Sequence, residues 1–284
     1  MSAVVQLISN PSAGRHKAQR IAELGRAFED LGATVHYTPC THEPPPIRDD
    51  TTHVCVAAGD GTVRHVAGAI ARSGYEVPLS IYPLGTINLL AMEAGYPRRP
   101  ADFAKLILSS QRSRRHYPVT IGDGYFFACA GVGPDSLAVA RVSSRLKRSI
   151  GRFAYGVAML GVLASWPRHR ISLTFGERSI ACEAFYVAKG RYYAGPWSFA
   201  PAARVDDPVL HVVALTKARR RDYVRFIMAV VTGSDPARLP NVEILTCTTL
   251  HAEADEPLPV QADGDVVCAL PVTLTVGATP LIFC

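Results

Sequence analysis

VCVAAGDGTVRHVAGAI, Val54 to Ile70, decides how this chain reads. An apolar run without polar alternation stops at Gly59-Asp60-Gly61-Thr62, and a helical period begins at once. Such a run marks a strand buried on both faces, as in a parallel sheet covered by helices. The spacing predicts a strand over His53–Ala58 and a helix over Thr62–Arg72, with Val63, Val66, Ala67 and Ile70 inward. Glycines at the strand end let main-chain N–H groups approach whatever lies above the sheet. The first turn of a helix leaves its N–H groups unpaired and is the positive end of the macrodipole, so phosphate is its natural occupant. Asp60 adds negative charge beside such an anion. That makes sense if Mg²⁺ bridges the two or if the carboxylate orients an attacking hydroxyl. The plainer reading is an aspartate N-cap on a tight turn, and the tetrapeptide alone does not separate these.

Working outward, two more turns share this character. Asn10-Pro11-Ser12-Ala13-Gly14 follows the strand candidate Ala3–Ser9 and precedes a helical period over 15–31, with Ile21, Leu24, Phe28 and Leu31 on one face and Gly32 as its stop. Pro83-Leu84-Gly85-Thr86-Ile87-Asn88 follows the strand Leu79–Tyr82 and precedes a helix expected over Thr86–Ala94. A further strand is expected over Ala33–Tyr37 and a further helix over Ala101–Ser110. Alternating strands and helices imply an α/β domain with a doubly wound parallel sheet, whose ligands bind at the carboxyl ends of the strands. Neither G-x-x-x-x-G-K-[ST] nor G-x-G-x-x-G occurs, which excludes a P-loop and a dinucleotide fingerprint.

Past Pro118 the pattern changes. VTIGDGYFFACAG reads as a hairpin turning at Gly122-Asp123-Gly124. Helices are expected over Ser136–Arg148 and Ile150–Ser165. Strands follow over Ile171–Phe175, Ile180–Ala188, Val209–Leu215, Val242–Ala254, Leu258–Ala262 and Val272–Val276, with one helix over Arg221–Thr232. This half reads as an antiparallel β-sandwich. The boundaries are 1–118 and 119–284, with the C-terminal end packing back on the first domain.

The 284 residues are 48% hydrophobic and 19% charged, an ordinary globular composition. The net charge of +6 favours anionic partners, such as nucleotide phosphates or an acidic membrane surface, without choosing among them. Seven cysteines without a C-x-x-C pair point to reduced thiols in a cytoplasmic protein. Neither a signal peptide nor a membrane span is expected. Arg141, Arg145, Lys147, Arg148 and Arg152 precede the apolar FAYGVAMLGVLASW. Two readings stand: a surface facing anionic lipid, or a solvated charged face followed by a buried helix. Basic residues interleaved with aromatics are not seen, so no nucleic-acid partner is expected. Oligomeric state is left open. Trp197 and Phe199 are expected to pack between domains or line a substrate pocket.

The order N-P-x-x-G, G-D-G-T, P-L-G-T-x-N resembles the diacylglycerol kinase catalytic-domain family, which includes bacterial lipid kinases and sphingosine and ceramide kinases. The resemblance continues through GVGPDSLAV (131–139), LKRSIGRFAYGVAML (146–160), APAARVDDPVLHVVAL (200–215) and VQADGD (260–265). It implies a two-domain, ATP- and Mg²⁺-dependent kinase with a cleft between the domains and a lipid alcohol such as diacylglycerol as acceptor. Gly59, Asp60, Gly61 and Thr62 would hold the nucleotide phosphates, with Asp60 essential for transfer. Asn10, Thr38, Gly85 and Thr86 would be further nucleotide contacts. The family's D-G-E motif supplies the general base, which reads here as Asp263-Gly264-Asp265 and places the base at Asp265. Without the family, those residues read as a hairpin turn. An NAD kinase-like activity and a non-catalytic nucleotide- or lipid-binding relative are the alternatives.

Several positions depart from the family pattern. Ala58 replaces a glycine, which ordinary strand dihedrals would tolerate. His65 replaces a glutamate, and Asp265 is one methylene shorter than glutamate. Bacterial members hold a structural Mg²⁺ with two acids and a carbonyl. Here Asp207 matches one acid and Arg204 stands in place of the other, and a guanidinium cannot ligate a cation. The structural ion is therefore expected to be absent, with Arg204 paired to Asp206 or Asp207 in its stead.

Overall fold

The computed structural model describes residues 2–10, 15–41, 43–109, 113–141, 158–159, 161–162, 164–166 and 168–284. The chain divides into two units, Met1–Pro118 with Thr279–Cys284, and Val119–Ala278. No helix among the described residues is long and apolar enough to cross a membrane.

The first unit is built on β1 (Val4–Ser9), β2 (Thr34–Pro39), β3 (His53–Ala58) and β4 (Leu79–Pro83), all parallel. The C-terminal strand β18 (Leu281–Phe283) pairs parallel with β4, and β5 (Arg114–His116) pairs antiparallel with β18, giving the order β2-β1-β3-β4-β18-β5. Consecutive residues of β1, β3 and β4 are buried, so both faces of the sheet are covered. The helices are α1 (Arg15–Glu29), α2 (Asp60–Ser73), α3 (Leu89–Ala94) and α4 (Pro100–Leu108). Leu24 and Phe28 of α1 are fully buried, and Phe28 meets Phe103 of α4, which in turn packs edge-on to Tyr82 of β4.

The register leaves the carboxyl ends of four strands side by side. Ser9 lies opposite Pro39 and Ala57, and Ala58 opposite Pro83. The chain leaves β1 toward β2 on one side and returns to β3 on the other. The β1–β3 junction is thus a topological switch point, where open α/β sheets bind ligands.

Three local expectations for this unit need correction. Leu31 is 50% exposed because α1 ends at Glu29, where Gly32 at φ 82° and the Ala33 N–H close on Phe28 and Glu29 carbonyls. Thr86 and Ile87 do not start a helix; α3 begins only at Leu89, after Asn88 in the left-handed region. Helix α2 begins at Asp60 rather than Thr62, since the glycine turn is completed within one residue.

The second unit contains two six-stranded antiparallel sheets among its described residues. The first, in the order β10-β9-β14-β17-β6-β7, comprises β6 (Val119–Ile121), β7 (Gly124–Phe126), β9 (Ile171–Phe175), β10 (Arg178–Cys182), β14 (Thr249–Ala254) and β17 (Val272–Val276). The second, in the order β13-β12-β11-β8-β15-β16, comprises β8 (Cys129–Val132), β11 (Ala184–Ala188), β12 (Leu210–Leu215), β13 (Val242–Cys247), β15 (Pro259–Ala262) and β16 (Asp265–Ala269). One apolar core joins them, with Ile121, Leu173, Leu250 and Leu274 from one sheet and Val132, Phe185, Val212 and Val260 from the other. This is a β-sandwich. Helices α5 (Pro134–Arg141) and α6 (Arg220–Thr232) complete the described elements used below.

Two runs expected as single strands each divide between the sheets. Ile180–Ala188 breaks at Glu183, whose carboxylate takes the Ala218 N–H at 2.9 Å and pairs with Arg168. Val242–Ala254 breaks at Thr248, whose carbonyl accepts the Val276 N–H. Neither break carries a glycine or proline, so no turn signal marked it. The helix expected over Ser136–Arg148 begins at Pro134 and is described only to Arg141. Most of Ile150–Ser165, together with Arg145, Lys147, Arg148 and Arg152, lies outside the described residues. None of the seven cysteines is in a disulfide, and burial pushes the Cys55 and Cys182 thiols up to about 12.

Deleting residues 279–284 removes the strand seated between β4 and β5, along with the His116–Phe283 ring contact at 4.9 Å. The truncated chain is expected to melt ~5 °C or more lower by calorimetry, with the loss in the first unit's transition.

Candidate active site

The glycine turn and the turn after β4 touch. A Cβ on Gly85 would lie 2.5 Å from the Gly59 Cα and 2.6 Å from Asn88 Oδ1, and a Cβ on Gly59 would lie 3.1 Å from the Gly85 Cα. Only bare backbone permits that approach. The contact is latched by hydrogen bonds. Gly85 N–H donates to Asn88 Oδ1 at 2.6 Å, and Asn88 Nδ2 donates to the Gly85 carbonyl at 3.0 Å. Asn88 N–H donates to Asp60 Oδ2 at 2.8 Å. The Asn88 backbone sits at φ 63°, ψ 56°, a conformation asparagine tolerates better than most residues.

Asp60 is therefore not an N-cap. Gly59 holds that position, and no side chain caps the helix. The Asp60 carboxylate reaches across to the neighbouring turn. Along the same sheet edge the structure brings together Asn10, directly after β1; Thr38, at the end of β2; Gly61 and Thr62, in the first turn of α2; and an exposed Thr86. Thr38 Oγ1 accepts from Gln6 Nε2 at 3.3 Å. Pro11–Gly14 lie outside the described residues. Ala58 closes β3 with its carbonyl bonded to the Leu84 N–H and is not among the positive-φ residues, so its methyl is accommodated.

Asp265 belongs to the second unit. It is the first residue of β16, opposite Ala262 of β15. The turn between them is the two-residue Asp263-Gly264, with φ of 49° and 87°, the backbone of a tight hairpin. Asp263 is only 5% exposed. Its Oδ2 accepts the Phe127 N–H at 2.9 Å, and its Oδ1 accepts those of Ala128 and Cys129 at 2.9 and 3.1 Å. Two carboxylates of one motif thus divide the work. Asp263 anchors the hairpin to 127–129, and Asp265 is presented at the start of the next strand.

Asp135, in the first turn of α5, is a further buried carboxylate, 7% exposed. Its Oδ2 accepts from Tyr193 Oη at 3.1 Å and Gln261 Nε2 at 3.3 Å, while Gln261 Oε1 accepts the Gly264 N–H at 3.3 Å. Gln261 so links Asp135 to the Asp263-Gly264 turn. Asp135 Oδ1 and the Tyr186 hydroxyl are buried without partners among the described residues. Burial pushes the Asp135 carboxyl up to about 6, against the pull of the Ser136 N–H and the neighbouring phenols. Phe199, expected between domains or in a pocket, packs on Tyr186 and Tyr193 in the second unit's interior.

The model of the diacylglycerol kinase catalytic domain matches residues 4–117, and that of the YegS C-terminal NAD kinase beta sandwich-like domain matches 128–282. A Pseudomonas aeruginosa protein named "Probable lipid kinase YegS-like" is 33% identical over 73% of this chain and 68% of its own. The chain belongs to the diacylglycerol kinase-type family of lipid kinases. The diacylglycerol kinase of Bacillus subtilis is 23% identical over 94% of this chain and 91% of its own, and that of Mycobacterium tuberculosis is 28% identical over 79% and 74%. Two solved structures from Bacillus anthracis superpose with TM-scores of 0.79 and 0.69, at 20% and 18% identity, each over 98% of this chain and over 94% and 95% of theirs. At those identities the likeness establishes the fold.

The loop where the resemblance implies a structural metal holds two basic side chains. Arg204 makes a bidentate pair with Asp206, both bonds at 3.1 Å, on an exposed stretch of chain. The cation that sits on the loop's carbonyls is not Arg204. It is Lys189, buried at 0% exposure. Lysine in a buried run (YVAKG) carried no sequence signal that distinguished it from a snorkelling surface residue, and Asp135 was hidden within GVGPDSLAV as a helix start.

Two outcomes follow from this geometry. Gly85→Ala should cost about 1–3 kcal/mol in urea unfolding, because neither Gly59 nor Asn88 can retreat without breaking the latch. Asp135 binds its proton more tightly folded than unfolded, so its share of stability is full below pH 4 and is lost as pH rises through 6. That share amounts to about 3 kcal/mol. Asp135→Asn should remove this decline, so its melting temperature relative to the parent should climb between pH 4.5 and 7.5.

Proposed function

We propose that the chain transfers the γ-phosphate of ATP to the hydroxyl of diacylglycerol or a similar lipid alcohol. The observation that carries this reading is the latched pair of turns. A helix start without a side-chain cap lies at the sheet's switch point, with a carboxylate fixed beside it by Asn88. Main-chain amides in that arrangement favour a polyphosphate. Membership of a lipid kinase family supports a lipid as the acceptor.

In this reading Gly59, Gly61 and Thr62 receive the phosphates, with Asn10, Thr38, Gly85 and Thr86 as further contacts. Mg²⁺ bound with ATP supplies the charge neutralisation that phosphoryl transfer needs. Asp60 is held by one oxygen on Asn88, so its charge stays at one place relative to the phosphates. Asp265 takes the proton of the lipid hydroxyl, a group whose pKa lies far above neutrality and which needs an acceptor in hydrogen-bond reach. Asp263 and Gln261 hold the hairpin that presents it. A lipid substrate and a charge of +6 suit peripheral work at an anionic membrane from the cytoplasmic side.

The test is transfer of labelled phosphate from ATP to a panel of lipid alcohols in mixed micelles, with NAD as a separate acceptor. Asp60→Asn keeps an oxygen for the Asn88 N–H and removes only the charge, so the fold survives. It and Asp265→Asn should each lose ~10²-fold or more in kcat. Phosphorylation of NAD with none of lipid would replace this reading by the NAD kinase-like one. Full activity in Asp265→Asn would remove it as the base, and ATP binding without turnover on any acceptor would mark a non-catalytic relative.

A further inference from the structure

Lys189 follows β11 and reaches the loop between Ala203 and Pro208. Its Nζ donates to the carbonyls of Arg204 at 2.9 Å, Val205 at 3.0 Å and Asp207 at 2.6 Å. Three carbonyl oxygens converging on one positive centre, with Asp206 and Asp207 in the same loop, form the kind of oxygen cage that hard divalent cations occupy. Here an ammonium, with three donors, bonds all three carbonyls. The family's structural Mg²⁺ therefore does not fit this chain. The carbonyls are engaged, Arg204 stands where an acid would ligate, and among the described residues no cluster of three or more metal-ligating side chains occurs.

We infer that Lys189 is the resident cation of this loop and makes its structure independent of a divalent metal. The site has a reach beyond the loop. The N–H groups of Lys189 and Gly190 both donate to the Ala128 carbonyl, at 2.8 and 3.0 Å. Ala128 N–H in turn donates to Asp263. The 204–207 loop, Lys189, residues 127–129 and the Asp263-Gly264 turn are thus one connected body within the second unit. A cation here braces the hairpin that carries Asp265, and a covalently attached one cannot be lost to chelators or to low ambient Mg²⁺. Removing it takes the ammonium donor from the Val205 and Asp207 carbonyls and leaves the Arg204 carbonyl only the Asp207 N–H at 3.3 Å, a loss that the loop relieves by opening to water or by taking up an ion.

The inference rests on the loop's geometry and family membership, not on the kinase reading, and its test uses no turnover. The full-length protein without nucleotide is followed by thermal denaturation and by hydrogen exchange of the 203–208 amides, in EDTA and in millimolar Mg²⁺ or Ca²⁺. The parent should show the same melting temperature within about 1 °C in each, and equal protection of the loop. Lys189→Met should melt lower and lose loop protection. Lys189→Ala combined with Arg204→Asp restores room and an acid beside Asp207. It should regain several degrees in Mg²⁺ or Ca²⁺, and only there. A parent whose loop gains protection or whose melting temperature climbs in Mg²⁺ alone overturns the inference. So does a Lys189→Met protein as stable as the parent.

Discussion

Two strand-to-helix turns of the first unit are obliged to touch, and the candidate site depends on that contact. Gly59 and Gly85 meet backbone to backbone, at a separation no Cβ on Gly85 could share. The contact would be an open seam without Asn88, which closes its own turn through Gly85 and offers its N–H to Asp60. The consequence is electrostatic as much as steric. The Asp60 carboxylate, in the first turn of α2, accepts from the adjacent turn. The N-cap of α2 is a glycine without a side-chain cap, and a helix end of that kind is one that favours an anion.

The second unit solves a related problem in an apolar sandwich, where charged groups survive only if the main chain satisfies them. Asp263 accepts from three N–H groups and Lys189 donates to three carbonyls, and both meet at Ala128, which donates to one and accepts from the backbone of the other. A carboxylate and an ammonium thus share a short piece of backbone as their common frame. Asp265 needs no such burial. Asp263 bears the anchoring, and Asp265 is half-buried at the head of β16.

Much of this was legible from local pattern. The β3–α2 unit, the parallel character of the first sheet and the antiparallel character of the second half all follow from hydrophobic period, which adjacent residues impose on one another. Asp60 and the Asp263-Gly264-Asp265 turn stood out because glycines beside acids are conspicuous at strand ends, whereas the part Asn88 plays did not. Sheet switching at Glu183 and Thr248 did not, because neither break carries a glycine or proline to mark it. Arg204 makes the expected pair with Asp206, but the cation on the loop's carbonyls is Lys189, since sequence shows which loop lacks an acid but not which distant side chain reaches it.

The sequence by itself determined where strands and helices lie, which turns are bare enough to receive phosphate, and which carboxylates are candidates for chemistry. Those features are written in windows of a few residues. Only the tertiary structure decided what each polar group bonds. Asp60 is held by a residue 28 positions away, Asp263 by amides up to 136 away, and Lys189 by a loop 15 to 18 away. The reason is physical. Burial makes an unpaired polar atom costly, so partners are chosen by proximity in the folded chain, and proximity of that kind has no local signature.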